Sequence, residues 1–356
     1  MFDQVYAGRR VLVTGHTGFK GSWLVYWLTR LGAEVCGAAL PMEEPAHWTL
    51  LRPDCRHEIC DIRAYDRLLG VFRDFRPEIV FHLAARPIVR LSYREPVETF
   101  DVNVMGTLKV LECCRNTSSV KSVVVVTTDK CYENPGDGRP FTESDPLGGH
   151  DPYSSSKAAA EIAVQSYRRS FFEPEGRVFC AAARAGNVIG GGDWAPDRLI
   201  PDMVRAAASG RTAGLRNPDS VRPWQHVLEP LSGYLLLGAG LFQERNELAG
   251  SWNFGPEPDD VLTVRQVARA MRECWEQMRF EERPEAAAPR EAPRLVLNCA
   301  KAQKELRWRP VWESRRAIER TASWYRCFYE SGRLNTAEDL DAYCRDAAEK
   351  EASWIK

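Results

Sequence analysis

Short apolar runs alternate with longer amphipathic stretches over the first half of the chain. Val11-Leu12-Val13 form a brief apolar run in residues 10–13 that stops at Thr14-Gly15. Residues 22–31 then carry Trp23, Leu24, Trp27, Leu28 and Leu31 on the 3.6-residue period of a helix, and Gly32 stands where a C-cap is expected. Residues 35–40 read as a second strand. Residues 64–75 read as a helix with Leu68, Leu69, Phe72 and Phe75 on its apolar side, and 79–83 as a buried strand. A long helix is predicted over 97–114. The run VKSVVVVTT at 120–128 is β-branched almost throughout, the pattern of a strand covered on both faces. Residues 153–169 read as a further helix and 178–184 as a further strand. This alternation predicts an α/β protein with a doubly wound parallel sheet of the Rossmann type.

The character changes after Asn187. Gly, Pro, Asp, Trp and Arg interleave from 190 to 225, which predicts loops and short elements around a pocket. Residues 281–293, EERPEAAAPREAP, read as a loop, 300–306 and 314–329 as helices, and 336–356 as a surface helix. The 356 residues suit two lobes of roughly 150 each. The first is expected to be mainly 1–186. The second, smaller and C-terminal, is 187–356, with some segments returning to the first.

Charge narrows the function. Forty-eight basic side chains against forty-nine acidic leave a net −1, which argues against a nucleic-acid surface and against an acidic disordered chain. No apolar run approaches the length of a membrane span, and MFDQVYAGRR enters the first strand without a signal core. Eleven cysteines, an odd number without a CxxC, are expected as reduced thiols in the cytoplasm. The six histidines are scattered, so no metal site is expected.

The segment Thr14-Gly15-His16-Thr17-Gly18-Phe19-Lys20-Gly21 follows a strand and opens a helix. Gly15 suits a tight turn, Gly18 a close approach to a pyrophosphate, and Gly21 close helix–sheet packing. The helix N-terminus supplies N–H donors and the positive dipole end. After the second strand, Ala38-Ala39-Leu40-Pro41-Met42 offer no basic partner for a 2′-phosphate, and Glu43 and Glu44 come late, which favours NAD over NADP. Asp61-Ile62, after the next strand, are candidates for contact with the adenine.

Tyr153-Ser154-Ser155-Ser156-Lys157 is Y-x-x-x-K, with both side chains on one helix face. The lysine charge is expected to lower the phenol pKa, so that a phenolate takes a proton from a sugar hydroxyl. Thr127-Thr128-Asp129-Lys130 close the VVVV strand, at the end of a parallel sheet where such folds bind ligands.

The segments VTGHTGFKGSWL, FHLAARPIVRLSYREPVETFDVNVMGT, TTDKCYEN, YSSSKAAAE, GNVIGGGDWAPDRLIPD, RPWQHVLEPLSGYL and WNFGP resemble the extended short-chain dehydrogenase/reductase family. Within it they are most similar to the nucleotide-sugar 4,6-dehydratases that act on CDP-hexoses. They span most of residues 10–260, and the C-terminal third matches loosely.

The resemblance implies a hydro-lyase. A CDP-hexose such as CDP-glucose is oxidised at C4 with NAD, water is eliminated across C5–C6, and hydride returns to C6, giving the 4-keto-6-deoxy sugar. It implies a redox triad of Thr128, Tyr153 and Lys157, Asp129 as the acid for the departing C6 hydroxyl, and Lys130 as the C5 base or an electrostatic aid. Cofactor contacts are expected at Gly15, Thr17, Gly18, Phe19, Gly21, Asp61, Ile62, Leu83, Ala84, Ala85, Tyr153 and Lys157. Substrate contacts are expected at Arg86, Asn187, Asp193, Trp194, Arg198, Leu199, Ile200 and Arg222, with Arg198 and Arg222 suited to a diphosphate. Asn103 is expected to hold the active-site helix. A homodimer through the helices of 97–114 and 153–169 is also implied.

Two positions depart from the family pattern: Arg86, where a glutamine is usual, and Arg290-Glu291-Ala292, where His-Glu-Ala is usual. Other readings are another nucleotide-hexose 4,6-dehydratase, including one that inverts C5, a nucleotide-sugar 4-epimerase, and a non-enzymatic NAD-binding scaffold. An epimerase has no need of Asp129, and a scaffold has no need of both Tyr153 and Lys157.

Overall fold

A computed structural model describes residues 1–283 and 295–356. Seven strands form one sheet. In spatial order they are Ser251–Asn253, Phe179–Arg184, Ser122–Val126, Ile79–His82, Arg10–Thr14, Glu34–Ala39 and Arg56–Ile59. Every pairing within it is parallel. The sheet is the doubly wound one that the alternating pattern predicts.

Strand side chains alternate between two cores. Val11, Val13, Val124 and Val126 enter one buried cluster. Leu12, Val123 and Val125 enter the other. Counted in chain order, the sheet's strands are Arg10–Thr14, Glu34–Ala39, Arg56–Ile59, Ile79–His82, Ser122–Val126, Phe179–Arg184 and Ser251–Asn253; helices cover both faces, so the apolar run of the fifth, Ser122–Val126, is buried along its whole length. Each such valine contributes about 1.5–3 kcal/mol of burial.

The chain runs outward from Arg10–Thr14 through Glu34–Ala39 to Arg56–Ile59, then crosses back to Ile79–His82 on the other side of the first strand. That reversal opens a crevice at the strand ends, where this class of sheet binds ligands. The glycine loop and Leu83-Ala84-Ala85 both emerge there. The two are in close contact, since a Cβ on Gly15 would come within 2.6 Å of the Ala84 nitrogen.

Several elements differ from the sequence expectations. The first helix, Phe19–Arg30, begins inside the glycine loop. The helix expected over 97–114 is built from Pro96–Phe100, a wide π-helical turn Asp101–Gly106, and Thr107–Arg115. That turn carries the fully buried Asn103. The segment 190–225 contains a ten-residue helix, Leu199–Ala208. Helix Leu228–Phe242 is apolar nearly all round and lies under the sheet, where Ser122 donates to the Gly238 carbonyl at 2.9 Å. Residues 302–306 form a π turn rather than an α-helix. Arg279–Glu282 pairs in parallel with Thr212–Leu215, so the stretch read as a loop begins within a strand. The remainder of that stretch, with Arg290-Glu291-Ala292, lies outside the described residues.

The tail forms the expected helix, but one face of it is buried. Thr336–Glu349 buries Leu340, Tyr343 and Ala347. Trp354 stacks on Tyr343 at 5.6 Å and on Phe2 at 5.3 Å between ring centroids. The few apolar residues of a polar tail are thus its anchors, packed against Trp27 of the first helix.

Candidate active site

The site is built where the fifth strand ends. Thr128 has extended backbone and caps a single helical turn, Asp129–Cys131, by accepting from the Lys130 N–H at 3.3 Å. Its hydroxyl donates to Asp129 Oδ1 at 3.0 Å. Asp129 is fully buried. Its carboxylate is approached by Asn187 Nδ2 at 3.4 Å and by Lys130 Nζ at 3.6 Å. Gly186 makes room for it, because a Cβ there would lie 1.8 Å from Asp129 Oδ2.

Beneath this turn lies a buried ion pair. Arg184 on the sixth strand donates through Nε to both oxygens of Glu161, at 2.8 and 2.9 Å. Thr127 donates to the same carboxylate at 2.5 Å. Arg184 also bonds Tyr132 at 2.6 Å, which donates to Asn253 at 2.7 Å. This network pins the strand end to helix Pro152–Tyr167, which carries Glu161. Cys131 sits against Glu161 at 3.5 Å, fully buried, and burial raises its thiol pKa well above the usual value. It is a packing residue.

The helix that carries Tyr153 and Lys157 is Pro152–Tyr167. Asp151 caps it by accepting from Ser154 N–H at 2.9 Å, and Pro152 occupies the first turn. Two further bonds set its rotation: Tyr153 N–H to Ser92 Oγ at 3.1 Å, and Asn103 Nδ2 to Ser156 Oγ at 2.8 Å. Tyr153 and Lys157 are both nearly fully buried.

The electrostatics correct one expectation. Burial pushes the Tyr153 phenol up to about 12, with partial relief from its hydrogen bond with Thr128 and the charge of Arg198. Lys157 turns its amine to the Val126 carbonyl at 2.9 Å, and burial brings it down to about 8. Desolvation of the phenolate outweighs the neighbouring cations in this state.

The glycine loop suits a dinucleotide. Gly15 has φ +73°, and a Cβ on Gly21 would come within 2.2 Å of the Gly15 carbonyl, so both glycines are required by the loop itself. Gly18 is different, since its only close neighbour would be Gly15 O at 3.3 Å, which leaves its outer face open. No side chain caps the helix that starts at Phe19, so its first N–H groups remain available to an anion. Thr17 donates to the Leu40 carbonyl at 3.0 Å and ties the loop to the second strand. Asp61 is ion-paired with Arg63 at 2.7 Å, and Ile62 is buried among core side chains, leaving only its backbone to a ligand.

Among the expected substrate residues, Asn187 and Arg198 lie toward Asp129 and Tyr153. Asn187 takes a left-handed φ of 50° beside Asp129, and the charge of Arg198 reaches Tyr153. The others lie differently. The Arg86 guanidinium pairs with Glu95 and, at 3.7 Å, with Glu98, while its backbone is held by Asn103. Asp193 binds Arg198 at 2.8 Å, and its backbone carbonyl accepts from Tyr325 at 2.5 Å. Trp194 packs edge-on against Trp324, Tyr325 and Phe328, and Ile200 is buried. Leu199 packs beside the same core. These side chains brace the loop, because aromatic burial against helix Ser314–Ser331 outweighs exposure to the crevice. Arg222 is buried on a two-residue strand and donates to the Val221 carbonyl at 2.9 Å.

Two side chains that sequence reasoning passed over, Lys20 and Tyr234, also belong to the site. The Lys20 amine reaches the Tyr234 hydroxyl at 3.5 Å. The only advance signal was a lysine inside a glycine loop.

A seven-stranded parallel sheet, a glycine loop at its switch point and a Tyr-x-x-x-Lys helix at the strand ends define an extended short-chain dehydrogenase/reductase. The chain belongs to the NAD dependent epimerase/dehydratase family, which it matches over residues 11–241. It is 44% identical over 330 residues to the CDP-glucose 4,6-dehydratase of Salmonella typhimurium, covering 91% of this chain and 92% of the relative. The dTDP-glucose 4,6-dehydratase of Streptomyces venezuelae, solved with NAD, superposes with a TM-score of 0.76 at 27% identity, covering 89% of this chain and 97% of that one. The UDP-glucose 4-epimerase of Thermus thermophilus, also solved with NAD, gives 0.76 at 28% identity, over 89% and 99%.

Proposed function

We propose that this protein is an NAD-dependent CDP-glucose 4,6-dehydratase that forms CDP-4-keto-6-deoxyglucose. The observation that carries the reading is Asp129, a fully buried carboxyl that accepts from the Thr128 hydroxyl at 3.0 Å and whose charge reaches Tyr153. An epimerase uses the tyrosine but has no leaving group to protonate. The choice of CDP-glucose is supported by the relative that shares 44% of its residues over nine-tenths of the chain.

NAD, when bound, supplies the capacity to withdraw hydrogen and an electron pair from the sugar C4 and to restore them at C6. Residues of the glycine loop, Leu83-Ala84-Ala85, Tyr153 and Lys157 would hold it. Tyr153 takes the O4 proton. A lysine amine takes the C5 proton, a role for which the resemblance offers Lys130. Asp129 gives its proton to the C6 hydroxyl, which leaves as water. The O4 proton on Tyr153 then returns to Asp129 along the Thr128 hydroxyl, so both groups are reset and no net redox change remains. Arg198 and Arg222 are assigned to the diphosphate.

The finer readings share this basis. The division into 1–186 and 187–356 is read as a cofactor lobe and a nucleotide-sugar lobe. Val97, Phe100, Met105 and Ile162 are exposed apolar side chains on the two helices assigned to a homodimer contact. The cytoplasm, where thiols stay reduced, suits eleven separate cysteines.

The test is incubation with CDP-glucose and catalytic NAD, followed by mass spectrometry. The expected product is lighter by one water. An unchanged mass with CDP-, dTDP-, GDP- and UDP-hexoses alike removes the dehydratase reading.

A further inference from the structure

At the end of the sheet that carries the site, one side chain holds two strand ends together. The ladder between the neighbouring strands Phe179–Arg184 and Ser251–Asn253 closes with a bond from the Phe254 N–H to the Arg184 carbonyl at 2.9 Å. Gly186 and Phe254 lie just beyond it. Gln225 reaches both, since its Nε2 donates to the Gly186 carbonyl and to the Phe254 carbonyl, each at 3.1 Å. Its backbone N–H donates to the Asn187 carbonyl at 3.3 Å. Among the described residues no other group donates to the Gly186 or Phe254 carbonyl.

The amide is buried and its orientation is forced. Both neighbours are acceptors, so the nitrogen must face them. The Oε1 atom is left buried without a hydrogen-bond partner among the described residues. That arrangement is costly, and an apolar side chain of the same size would avoid it. What the apolar side chain could not do is hold two carbonyls.

The two residues gripped by Gln225 are those that lie against Asp129. Gly186 forms a wall behind the carboxyl, for a Cβ there would stand 1.8 Å from Oδ2 and 2.4 Å from Oδ1. Asn187 is held at a left-handed φ of 50° and points Nδ2 at Oδ2 from 3.4 Å. A side chain in that region of backbone space keeps its place only where the surroundings hold it. Tyr153 and Lys157 are set from elsewhere, by Ser92, by Asn103 through Ser156, and by the Val126 carbonyl. The support of the acid is therefore separate from the support of the tyrosine and lysine.

We propose that Gln225 is a positioning residue for the Asp129 carboxyl. By clamping the Gly186 and Phe254 carbonyls it keeps the Gly186-Asn187 turn against the acid, and so serves departure of the C6 hydroxyl and not oxidation at C4. The inference rests on the dehydratase reading above. In the step concerned, Asp129 gives its proton to O6 as the C6–O bond breaks. The electron pair of the former C5–H bond, held on the C4 enolate, becomes the C5–C6 double bond, and the hydroxyl leaves as water.

The experiment compares wild type, Gln225→Met and Gln225→Glu, each loaded with NAD, on CDP-glucose and on its 6-deoxy-6-fluoro analogue. Fluoride needs less help from an acid to leave than a hydroxyl does. The absorbance of reduced nicotinamide in a single turnover reports oxidation at C4. Mass spectrometry reports loss of water or of hydrogen fluoride. Gln225→Met is expected to reduce nicotinamide within about two-fold of wild type and to release water about 100-fold more slowly, so that reduced nicotinamide accumulates. Its fluoride release is expected to fall by less than about ten-fold. Gln225→Glu keeps the shape and loses both amide donors, and is expected to behave in the same way. Water and fluoride release slowed alike, nicotinamide reduction slowed as much as water release, or wild-type water release in folded Gln225→Met would each overturn the assignment. Should Gln225→Met not fold, as judged by its melting temperature, Gln225→Glu decides the matter by the ratio of water to fluoride release, which does not depend on the fraction folded. A wild type that releases no water from any nucleotide hexose removes the parent reading, a result separate from wild-type water release with unaltered variants.

Discussion

Asn103 and Ser156 are joined by a 2.8 Å hydrogen bond between two helices that meet at the site. The same asparagine accepts from the Arg86 N–H at 2.8 Å and donates to the Arg86 carbonyl at 3.2 Å. Ser156 passes the connection on to the Tyr153 carbonyl at 2.7 Å. One buried amide therefore fixes both the loop after the fourth strand and the rotation of the catalytic helix. Asn103→Leu would leave the Arg86 N–H unpaired, at about 1–3 kcal/mol of stability. A shift of the tyrosine by about 1 Å lowers kcat by roughly 100-fold. Asn103→Asp keeps the acceptor and loses both donors, so it should fall between the two. Urea unfolding and initial rates on the same preparations check this, and an unchanged rate in Asn103→Leu would show that the tether does not position Tyr153.

The two glycines after the turn should separate folding from ligand binding. Gly21→Ala places a Cβ 2.2 Å from a backbone oxygen, so the loop must shift, and both melting temperature and NAD affinity should fall. Gly18→Ala meets only Gly15 O at 3.3 Å, and its open face is where a pyrophosphate would lie. It should melt close to wild type and bind NAD about ten-fold more weakly, equivalent to about 1.4 kcal/mol. Fluorescence titration with NAD beside a thermal melt distinguishes the two variants.

The sheet and the glycine loop were legible because period and turn chemistry are local. Val123 to Val126 announce a strand covered on both sides, and the structure buries it on both sides. The seventh strand, Ser251–Asn253, is only three residues long and has no period to detect. Helix Leu228–Phe242 escaped notice because it is buried nearly all round and so lacks an amphipathic stripe. Tyr343 and Trp354 are sparse apolar positions in a polar tail, and partners distant in sequence, among them Phe2 and Trp27 more than three hundred residues earlier, reveal them as core. Lys20 is of the same kind, since its partner Tyr234 is 214 residues away. Tyr153 and Lys157 were found by spacing alone, but their charge states depend on burial that spacing does not report.

The Glu161–Arg184 pair is fully buried and should behave as a unit. Glu161→Leu strands a guanidinium in the core and should cost about 3–5 kcal/mol. Arg184→Met strands the carboxylate and should cost a similar amount. The double variant should recover most of the loss, because a desolvated pair is replaced by apolar volume. A double-mutant cycle by urea unfolding measures the coupling, and additive losses would contradict the pairing.

Acid should destabilise this protein earlier than its carboxylates alone would. His16, His47, His82 and His226 are buried, and desolvation lowers each from 6.5 to about 3. A depressed folded-state value means that the unfolded chain binds these protons first. The stability is therefore complete above pH 6.5 and is lost as pH falls toward 3, at about 1.4 kcal/mol per histidine per pH unit. Glu229 and Asp339 act in the opposite sense, since burial raises both to about 7. As pH falls from about 7 toward their ordinary values, each returns stability at the same rate. Glu143, Asp202 and Asp260, also raised by burial, act in the same sense as Glu229 and Asp339, so the net loss between pH 6.5 and 4.5 is at most about 3 kcal/mol per unit. Urea midpoints at about pH 7.5, 6 and 5 should fall in that order, and equal midpoints would contradict the sign. His226→Phe isolates one share. The ring packs edge-on between Trp23 and Trp312, and its Nε2 has no hydrogen-bond partner among the described residues. An apolar ring there should fold and should flatten the acid slope by one histidine's contribution.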